Sequence, residues 1–263
     1  NKRINEAVFS SKRIRSVAQD DLMLAKKQYP IVLKRMEDIV SEKSFIDNYL
    51  RLQYIDIINL ATKIMPEKSS ELSLKAIQIL EECTKLRPYY TRSWLYLGVY
   101  INNYIESTPD LKPEVKEELN KEFSASVEKA KQLSPRHPEI FITMVKNDLI
   151  NEKYQEAKEK AEKCINFAPD NGDCWWAKSL ALIGLNEFEQ ALKAMKTADE
   201  KGYQIEAKKA LSQLANIYAS LAENTGDIKY YQKLAEIYQK LIEIEPKNFQ
   251  FHASLSYIYK VLE

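Results

Sequence analysis

The side chains that most often carry catalysis are sparse in this sequence. There are two histidines, His137 and His252, and no serine, cysteine or lysine lies in a recognisable nucleophile motif. Acidic pairs such as Glu81-Glu82 are consecutive, and consecutive helix positions point about 100° apart, so these carboxylates do not converge as a general acid and base must. We expect His137 to be exposed in a turn and His252 to pack in the interior. The sequence therefore predicts no catalytic residue, and a chain that is not itself an enzyme.

The cysteines and glycines predict neither a metal nor a cofactor. Cys83, Cys164 and Cys174 are odd in number and form no C-x-x-C pair, so no zinc site or disulfide framework is implied. Cys164 and Cys174 lie ten residues apart across an expected turn, but the favoured interpretation is that they are small buried hydrophobes. The five glycines are too widely separated for a P-loop or a dinucleotide fingerprint.

The charge balance gives no reason to expect nucleic acid as a partner. The chain has 39 Lys and Arg against 38 Asp and Glu, a net charge of +1, which creates no long-range field. A locally basic start is interpreted as a solvated face: Lys2, Arg3, Lys12, Arg13 and Arg15. The longest stretches without charge are 13 residues, 93–105 and 210–222, and a membrane span needs about 20.

The elements that position these side chains are predicted to be helices that repeat. Five glycines in 263 residues is about 2%, against an average near 7%, which disfavours hairpin-rich β folds. Residue types also recur every 34 positions: Pro135 and Pro169, Phe141 and Trp175, Tyr154 and Phe188, Ala157 and Ala191. The clearest first helix reads Trp94-x-x-Leu97-Gly98-x-x-Ile101, and the clearest second helix reads Phe188-x-x-Ala191-x-x-x-Met195-x-x-Ala198.

This pattern resembles the tetratricopeptide repeat superfamily. The resemblance implies an all-α, right-handed superhelical solenoid of antiparallel helix pairs. We expect an atypical N-terminal capping unit at residues 1–43, a helical pair broken near Pro30. Residues 44–263 then form a solenoid of about five repeats plus a C-terminal helix. Extra residues near 106–121 and 223–227 are expected to form longer loops, the former with an extended second helix.

In this superfamily the first helix of each repeat lines a concave groove. The groove positions lie one and five residues after the opening aromatic, which gives Leu95, Val99, Ile142, Lys146, Trp176, Leu180, Ser212, Asn216, Ala253 and Tyr257. Only Lys146 and Asn216 fit a clamp for a peptide's terminal carboxylate, and they are not in adjacent repeats. Trp176 follows Trp175, so one of the two must leave the core, and Trp176 is either a recognition anchor or buried between repeats.

Several longer segments are similar to the C-terminal repeat region of bacterial O-antigen ligase-like membrane proteins. They include 87–98 (RPYYTRSWLYLG), 175–183 (WWAKSLALI) and 238–248 (YQKLIEIEPKN). The resemblance implies an extracytoplasmic accessory domain after a membrane-spanning part that precedes Asn1, and an oxidising compartment in which Cys164 and Cys174 pair. Without it, the chain is expected to be cytoplasmic.

Three functional hypotheses follow. The leading one is a non-catalytic scaffold that binds a protein or peptide in its groove. The alternative is the accessory domain of a membrane glycan ligase or polymerase. The third is direct glycan binding by groove aromatics such as Trp176 and Tyr257.

Overall fold

The computed structural model describes residues 22–41, 47–203 and 207–262, and within these ranges it contains twelve α-helices and no β-strand. The helices are α1 Leu22–Ser41, α2 Asp47–Ile64, α3 Ser69–Leu86, α4 Thr91–Ser107, α5 Pro113–Leu133, α6 Pro138–Ile150, α7 Tyr154–Phe167, α8 Gly172–Gly184, α9 Phe188–Glu200, α10 Ala207–Thr225, α11 Ile228–Ile244 and α12 Phe249–Leu262. A short 3₁₀ turn, Pro66–Lys68, joins α2 to α3. The basic residues at the chain start lie outside the described ranges.

The chain divides into two compact units, the first ending at Asn151 and the second beginning at Glu152. Inside each unit, helices that follow one another in sequence pack side by side, joined by short turns. Each unit has its own apolar core, with Ile58, Leu80 and Ile101 fully buried in the first and Leu182 and Ile217 in the second. The predicted all-α fold of paired helices is confirmed.

Gly98 lets α4 and α5 approach closely, as the sequence predicts for this small-residue position. A Cβ added at Gly98 would lie 2.8 Å from Cγ1 of Val127 and 3.4 Å from the ring of Phe123. A methyl group at that distance would push the helices apart, because such a gap is shorter than ordinary van der Waals contact.

The turns between repeats are held by a recurring contact between a ring and a proline carbonyl. Trp94 donates from Nε1 to the carbonyl oxygen of Pro88 at 2.8 Å, and Trp175 does the same to Pro169 at 2.9 Å. His252 is exposed, and its Nε2 lies 2.8 Å from the carbonyl oxygen of Pro246. The expectation that His252 packs in the interior is therefore wrong. His137 is exposed, as predicted.

The extra residues lengthen helices instead of forming long loops. The stretch after Gly98 gives α4 17 residues and α5 21, with only 108–112 between them. In the second unit α10 has 19 residues and α11 has 17, separated by Gly226 and Asp227. The extended second helix is confirmed, and the longer loops are wrong. Adding residues to a helix satisfies their backbone hydrogen bonds locally, which a loop does not.

The N-terminal expectation is also corrected in part. Pro30 lies inside the continuous helix α1, so within 22–41 no break separates two helices. The proline removes one i to i−4 hydrogen bond, and the remaining bonds keep the helix together. The predicted boundary between residues 43 and 44 lies outside the described residues and stays a prediction.

A network of four asparagines joins three helices of the first unit. Asn147 of α6 donates to Oδ1 of Asn102 in α4 at 2.9 Å and to Oδ1 of Asn120 in α5 at 3.0 Å. Asn102, which is fully buried, donates in turn to the backbone carbonyl of Thr143. Asn151 completes the network by donating to Asn120 at 3.1 Å. Each buried amide therefore has a partner, as burial requires.

Cys164 and Cys174 form a disulfide between the end of α7 and the start of α8. Their Cα atoms are 5.7 Å apart and both side chains are fully buried. The favoured interpretation of this pair as unlinked hydrophobes is wrong, because the turn between the helices brings the two sulfurs together. Cys83 is free and buried, in line with that interpretation.

In the described parts of the chain, the helices are too short or too polar for any of them to cross a membrane.

Candidate functional site

The first unit has a small cavity between α2 and α4, which we call the α2–α4 cavity. It measures about 130 Å³ and is lined by Ile55, Asp56, Asn59, Tyr96, Val99 and Tyr100. At its edge Arg92 contacts Asp56, with 3.3 Å between Nη2 and Oδ1, and its guanidinium lies 4.8 Å from the centre of the Tyr96 ring. The charges of this cavity are therefore already matched inside the unit.

Tyr100 forms the buried floor of the α2–α4 cavity. Its hydroxyl donates to the backbone carbonyl of Ile55 at 3.2 Å. Burial raises the pKa of this phenol well above its usual range, and the nearby carboxylate of Asp56 adds to the effect. Tyr100 is thus a neutral structural donor and not a proton-transfer group at ordinary pH.

The second unit has a larger opening between α10 and α12, with α11 beneath it, which we call the α10–α12 cleft. It measures about 380 Å³. Its lining is Ala219 and Glu223 of α10, Tyr231, Leu234 and Tyr238 of α11, and Ala253, Ser254, Tyr257 and Ile258 of α12. Leu234 and Ile258 are buried at 5% and 2% exposure, so the cleft has an apolar base and tyrosine rings around it.

In the first unit the predicted groove residues differ in accessibility. Val99 lines the α2–α4 cavity, and Ile142 is half-buried. Leu95 is only 3% exposed, so its side chain is not available to a ligand. Lys146 is held by Glu106 at 2.8 Å and donates to Oδ1 of Asn103 at 2.8 Å.

In the second unit the structure brings two groove positions together. Ala253 and Tyr257 both line the α10–α12 cleft, and Tyr257 is 65% exposed. Leu180 and Ser212 are half-buried and Asn216 is exposed, and none of these three is part of the lining.

Trp176 is half-buried and packs inside the second unit. Its ring stacks on Tyr203, with 4.9 Å between centroids and 16° between planes. It also packs against the core that contains Leu182 and Met195. Of the two expectations for this residue, burial against neighbouring helices describes its position better than an open recognition anchor.

Sequence reasoning missed the part of the cleft that α11 supplies. The predicted groove positions all belong to first helices, whereas Tyr231, Leu234 and Tyr238 belong to a second helix. Their spacing of three and four residues places them on one face, which was a readable signal. Glu223 was missed because it lies in the lengthened part of α10, which was expected to be a loop.

The described residues contain no group of three His, Cys, Asp or Glu side chains placed to hold a metal ion. The cleft offers aromatic faces, hydroxyl groups and one carboxylate, which suit reversible binding.

Comparison with known proteins supports the fold. No protein-family model matches the chain, and neither does any curated protein. Among solved structures it is similar to a thermophilic TPR protein from Thermus thermophilus, with 13% identity, a TM-score of 0.53, and coverage of 77% of this chain and 96% of that one. The C-terminal part of a TPR repeat-containing protein from Cytophaga hutchinsonii has 12% identity, a TM-score of 0.46 and 95% coverage of both chains. The fold of this chain is thus a tetratricopeptide-like array of helix pairs.

Proposed function

We propose that this chain is a non-catalytic scaffold that binds a peptide segment of a partner protein in a groove between first helices within one of its units. The observation that carries the proposal is that two of the cavities open between first helices. The α2–α4 cavity and the α10–α12 cleft each lie between consecutive first helices of their own unit, and each includes predicted groove residues. Exposed aromatic side chains in such a cleft are typical of recognition surfaces.

The α10–α12 cleft is the stronger of the two candidates for peptide binding. Its volume is about three times that of the α2–α4 cavity, and Tyr257 offers a largely exposed ring. In the α2–α4 cavity Asp56 is already paired with Arg92, and the Tyr100 hydroxyl already donates to the Ile55 carbonyl, so a ligand there gains less. We therefore expect the main anchor of the partner to enter the α10–α12 cleft.

Selection of peptides from a random display library against the purified chain tests the proposal. We expect enriched peptides to lose about tenfold or more in affinity with Tyr257→Ala. Val115→Ala is the matched control, since Val115 is a 39% exposed apolar residue on α5, away from both cavities. Failure to enrich any peptide, or equal loss in both variants, would contradict the proposal.

A second candidate is an extracytoplasmic accessory domain of an O-antigen ligase-like membrane protein. The disulfide between Cys164 and Cys174 favours it, because structural disulfides persist mainly in oxidising compartments. Two measurements bear on this candidate. One is the gene sequence upstream of Asn1, where a series of membrane spans is expected. The other is the thiol state of the protein isolated from its source with thiols blocked at lysis. A reduced pair would contradict the oxidising compartment.

Glycan binding is tested separately by fluorescence. Trp176 is half-buried beside Tyr203, so a sugar near this pair should change tryptophan emission in a saturable way. A flat response across the titration counts against glycan recognition at this position.

A further inference from the structure

The α10–α12 cleft carries a chemical bias that a general peptide groove does not need. Three tyrosines surround it, and Glu223 is the one charged side chain in its lining. The face of an aromatic ring carries partial negative charge, and a carboxylate adds a full one. The lining therefore presents negative potential and no positive group.

The shape of the cleft follows from which helix supplies large residues. The rims contributed by α10 and α12 include the small side chains Ala219, Ala253 and Ser254, whereas α11 supplies Tyr231 and Tyr238. These three small side chains leave room for an incoming side chain, and the two α11 rings present surface for it to pack against. Tyr238 is fixed by Phe251, with 6.2 Å between ring centroids, so this part of the wall is preorganised.

Elsewhere in the chain, tyrosine faces are already used by the protein's own cations. Lys75 lies 5.9 Å from the ring centre of Tyr54, and Lys229 lies 4.5 Å from that of Tyr230. Among the described residues, none of the cleft's three tyrosines carries such a cation, and Glu223 has no ion pair or hydrogen bond. The α10–α12 cleft therefore has tyrosine ring faces and a carboxylate, but no cation of the described chain occupies them.

We propose that the α10–α12 cleft binds an arginine or lysine side chain of the partner peptide, with its cationic group between the tyrosine rings and the carboxylate of Glu223. This rests on the proposed peptide-binding function and adds the chemistry of the anchor residue. The aliphatic part of the side chain packs against Leu234 and Ile258 at the base. The carboxylate accepts hydrogen bonds from the charged head.

The test compares short capped peptides that differ at one central residue. The probes are a glycine- and serine-flanked arginine peptide and the same peptide with citrulline, which keeps the shape of arginine and removes its charge. Binding is followed by NMR chemical-shift changes in the isotope-labelled full chain. We expect the arginine peptide to bind about tenfold more tightly than the citrulline peptide. A glutamate peptide should bind more weakly than either.

Two glutamate variants locate the effect. Glu223→Gln should reduce the affinity for the arginine peptide to that for the citrulline peptide. Glu243→Gln is the matched control, because Glu243 is an exposed α11 carboxylate outside the cleft lining, and it should change nothing. Since Glu223 is exposed and unpaired, its variant should keep the wild-type melting temperature, which is measured in parallel.

The outcomes separate this inference from the proposed function. Equal binding of arginine and citrulline peptides, lost in Tyr257→Ala, would overturn the cation site and leave the peptide groove in place. Arginine binding that is unchanged by Glu223→Gln would overturn the role of the carboxylate and with it the inference. If no probe peptide binds, the cation site is overturned, and the display selection decides the peptide groove independently.

Discussion

The ring of Tyr154 fills the space in which a side chain at Gly184 would lie. A Cβ built on Gly184 would overlap the Tyr154 ring, with its Cδ1, Cε1 and Cγ atoms the nearest neighbours. Tyr154 is the first residue of α7 and Gly184 is the last residue of α8, so the large ring at the start of one helix fits against the residue without a side chain at the end of the next. The glycine is needed here for close approach and not for backbone freedom, because its φ is not positive.

Gly184→Ala is expected to destabilise the second unit by about 1–3 kcal/mol. Overpacking against Tyr154 outweighs the roughly 1 kcal/mol by which alanine favours a helix over glycine. Urea unfolding followed by circular dichroism measures the change. In the Tyr154→Leu background the same substitution should cost much less, and equal costs in both backgrounds would rule out the steric explanation.

His252→Phe is expected to lower stability by about 0.5–1 kcal/mol, because it keeps an aromatic ring and removes the contact with Pro246. A carbonyl oxygen only accepts, so Nε2 of His252 must carry the proton. His252→Trp should restore the contact that Trp94 and Trp175 make at the same position. His137→Phe, at an exposed histidine, is the control for added surface ring area. Equal stability of the Phe and Trp variants at 252 would contradict this account.

Trp176→Ala is expected to destabilise the second unit by about 2–4 kcal/mol. The substitution removes the stack on Tyr203 and contacts with the core around Leu182. Tyr257→Ala, at a ring that is 65% exposed, should stay within about 0.5 kcal/mol of wild type. A thermal melt of each variant gives the comparison. An unchanged melting temperature for Trp176→Ala would return this residue to the role of an open anchor.

Reduction of the disulfide is expected to destabilise the second unit by about 2–3 kcal/mol. The bond closes a short loop, with Cys164 and Cys174 separated by 10 residues, and it restricts the unfolded chain. Unfolding curves with and without a phosphine reductant measure the difference. The double variant Cys164→Ala/Cys174→Ala should show no response to the reductant. If the reductant also leaves the unfolding curve of the wild-type protein unchanged, this contradicts a stabilising role of the disulfide.

Cys83 is expected to be unreactive in the folded protein at mildly alkaline pH. Burial raises the pKa of its thiol to about 11, so at pH 8 on the order of one molecule in a thousand is thiolate. Ellman's reagent should react with it only after unfolding, and Cys83→Ala should abolish that reaction.

The raised pKa of the Cys83 thiol also predicts that the protein loses stability at high pH. The folded pKa of Cys83 is raised above the unfolded value near 8.5, so the unfolded state gives up its proton first. The contribution of the protonated Cys83 thiol to the free energy of unfolding is complete below about pH 8.5 and is lost as the pH rises toward 11. Unfolding free energies measured across that range for wild type and Cys83→Ala isolate the contribution.

The repeat period predicted the helix pairs because proline, glycine and the opening aromatics act locally. Trp94, Gly98 and Pro88 each have a role that their neighbouring residues define, so their spacing is enough to predict where the helix pairs lie. Helix ends within the insertions were mispredicted, since Pro109 and Pro113 suggest a loop while the surrounding charged residues favour a helix.

The site was only partly predictable, for a different reason. Val99 and Tyr257 follow from the register of one helix, whereas the α10–α12 cleft needs three helices to meet. The spacing of Tyr231 and Tyr238 indicates that they share one face of α11, but that this face lines the cleft depends on the packing of α11 against α10 and α12, which the spacing alone does not give. The pairing of Cys164 with Cys174 likewise depends on the angle of one turn.

The asparagine network of the first unit consists of hydrogen bonds that do not depend on charge. Asn102, Asn120, Asn147 and Asn151 are neutral amides, so they neither titrate nor lose strength when salt screens charge. Exposed ion pairs such as that of Lys121 with Glu117 weaken as ionic strength rises. The amide hydrogen bonds that join α4, α5 and α6 are therefore expected to persist at pH values and salt concentrations that weaken the ion pair of Lys146 with Glu106 between α6 and α4.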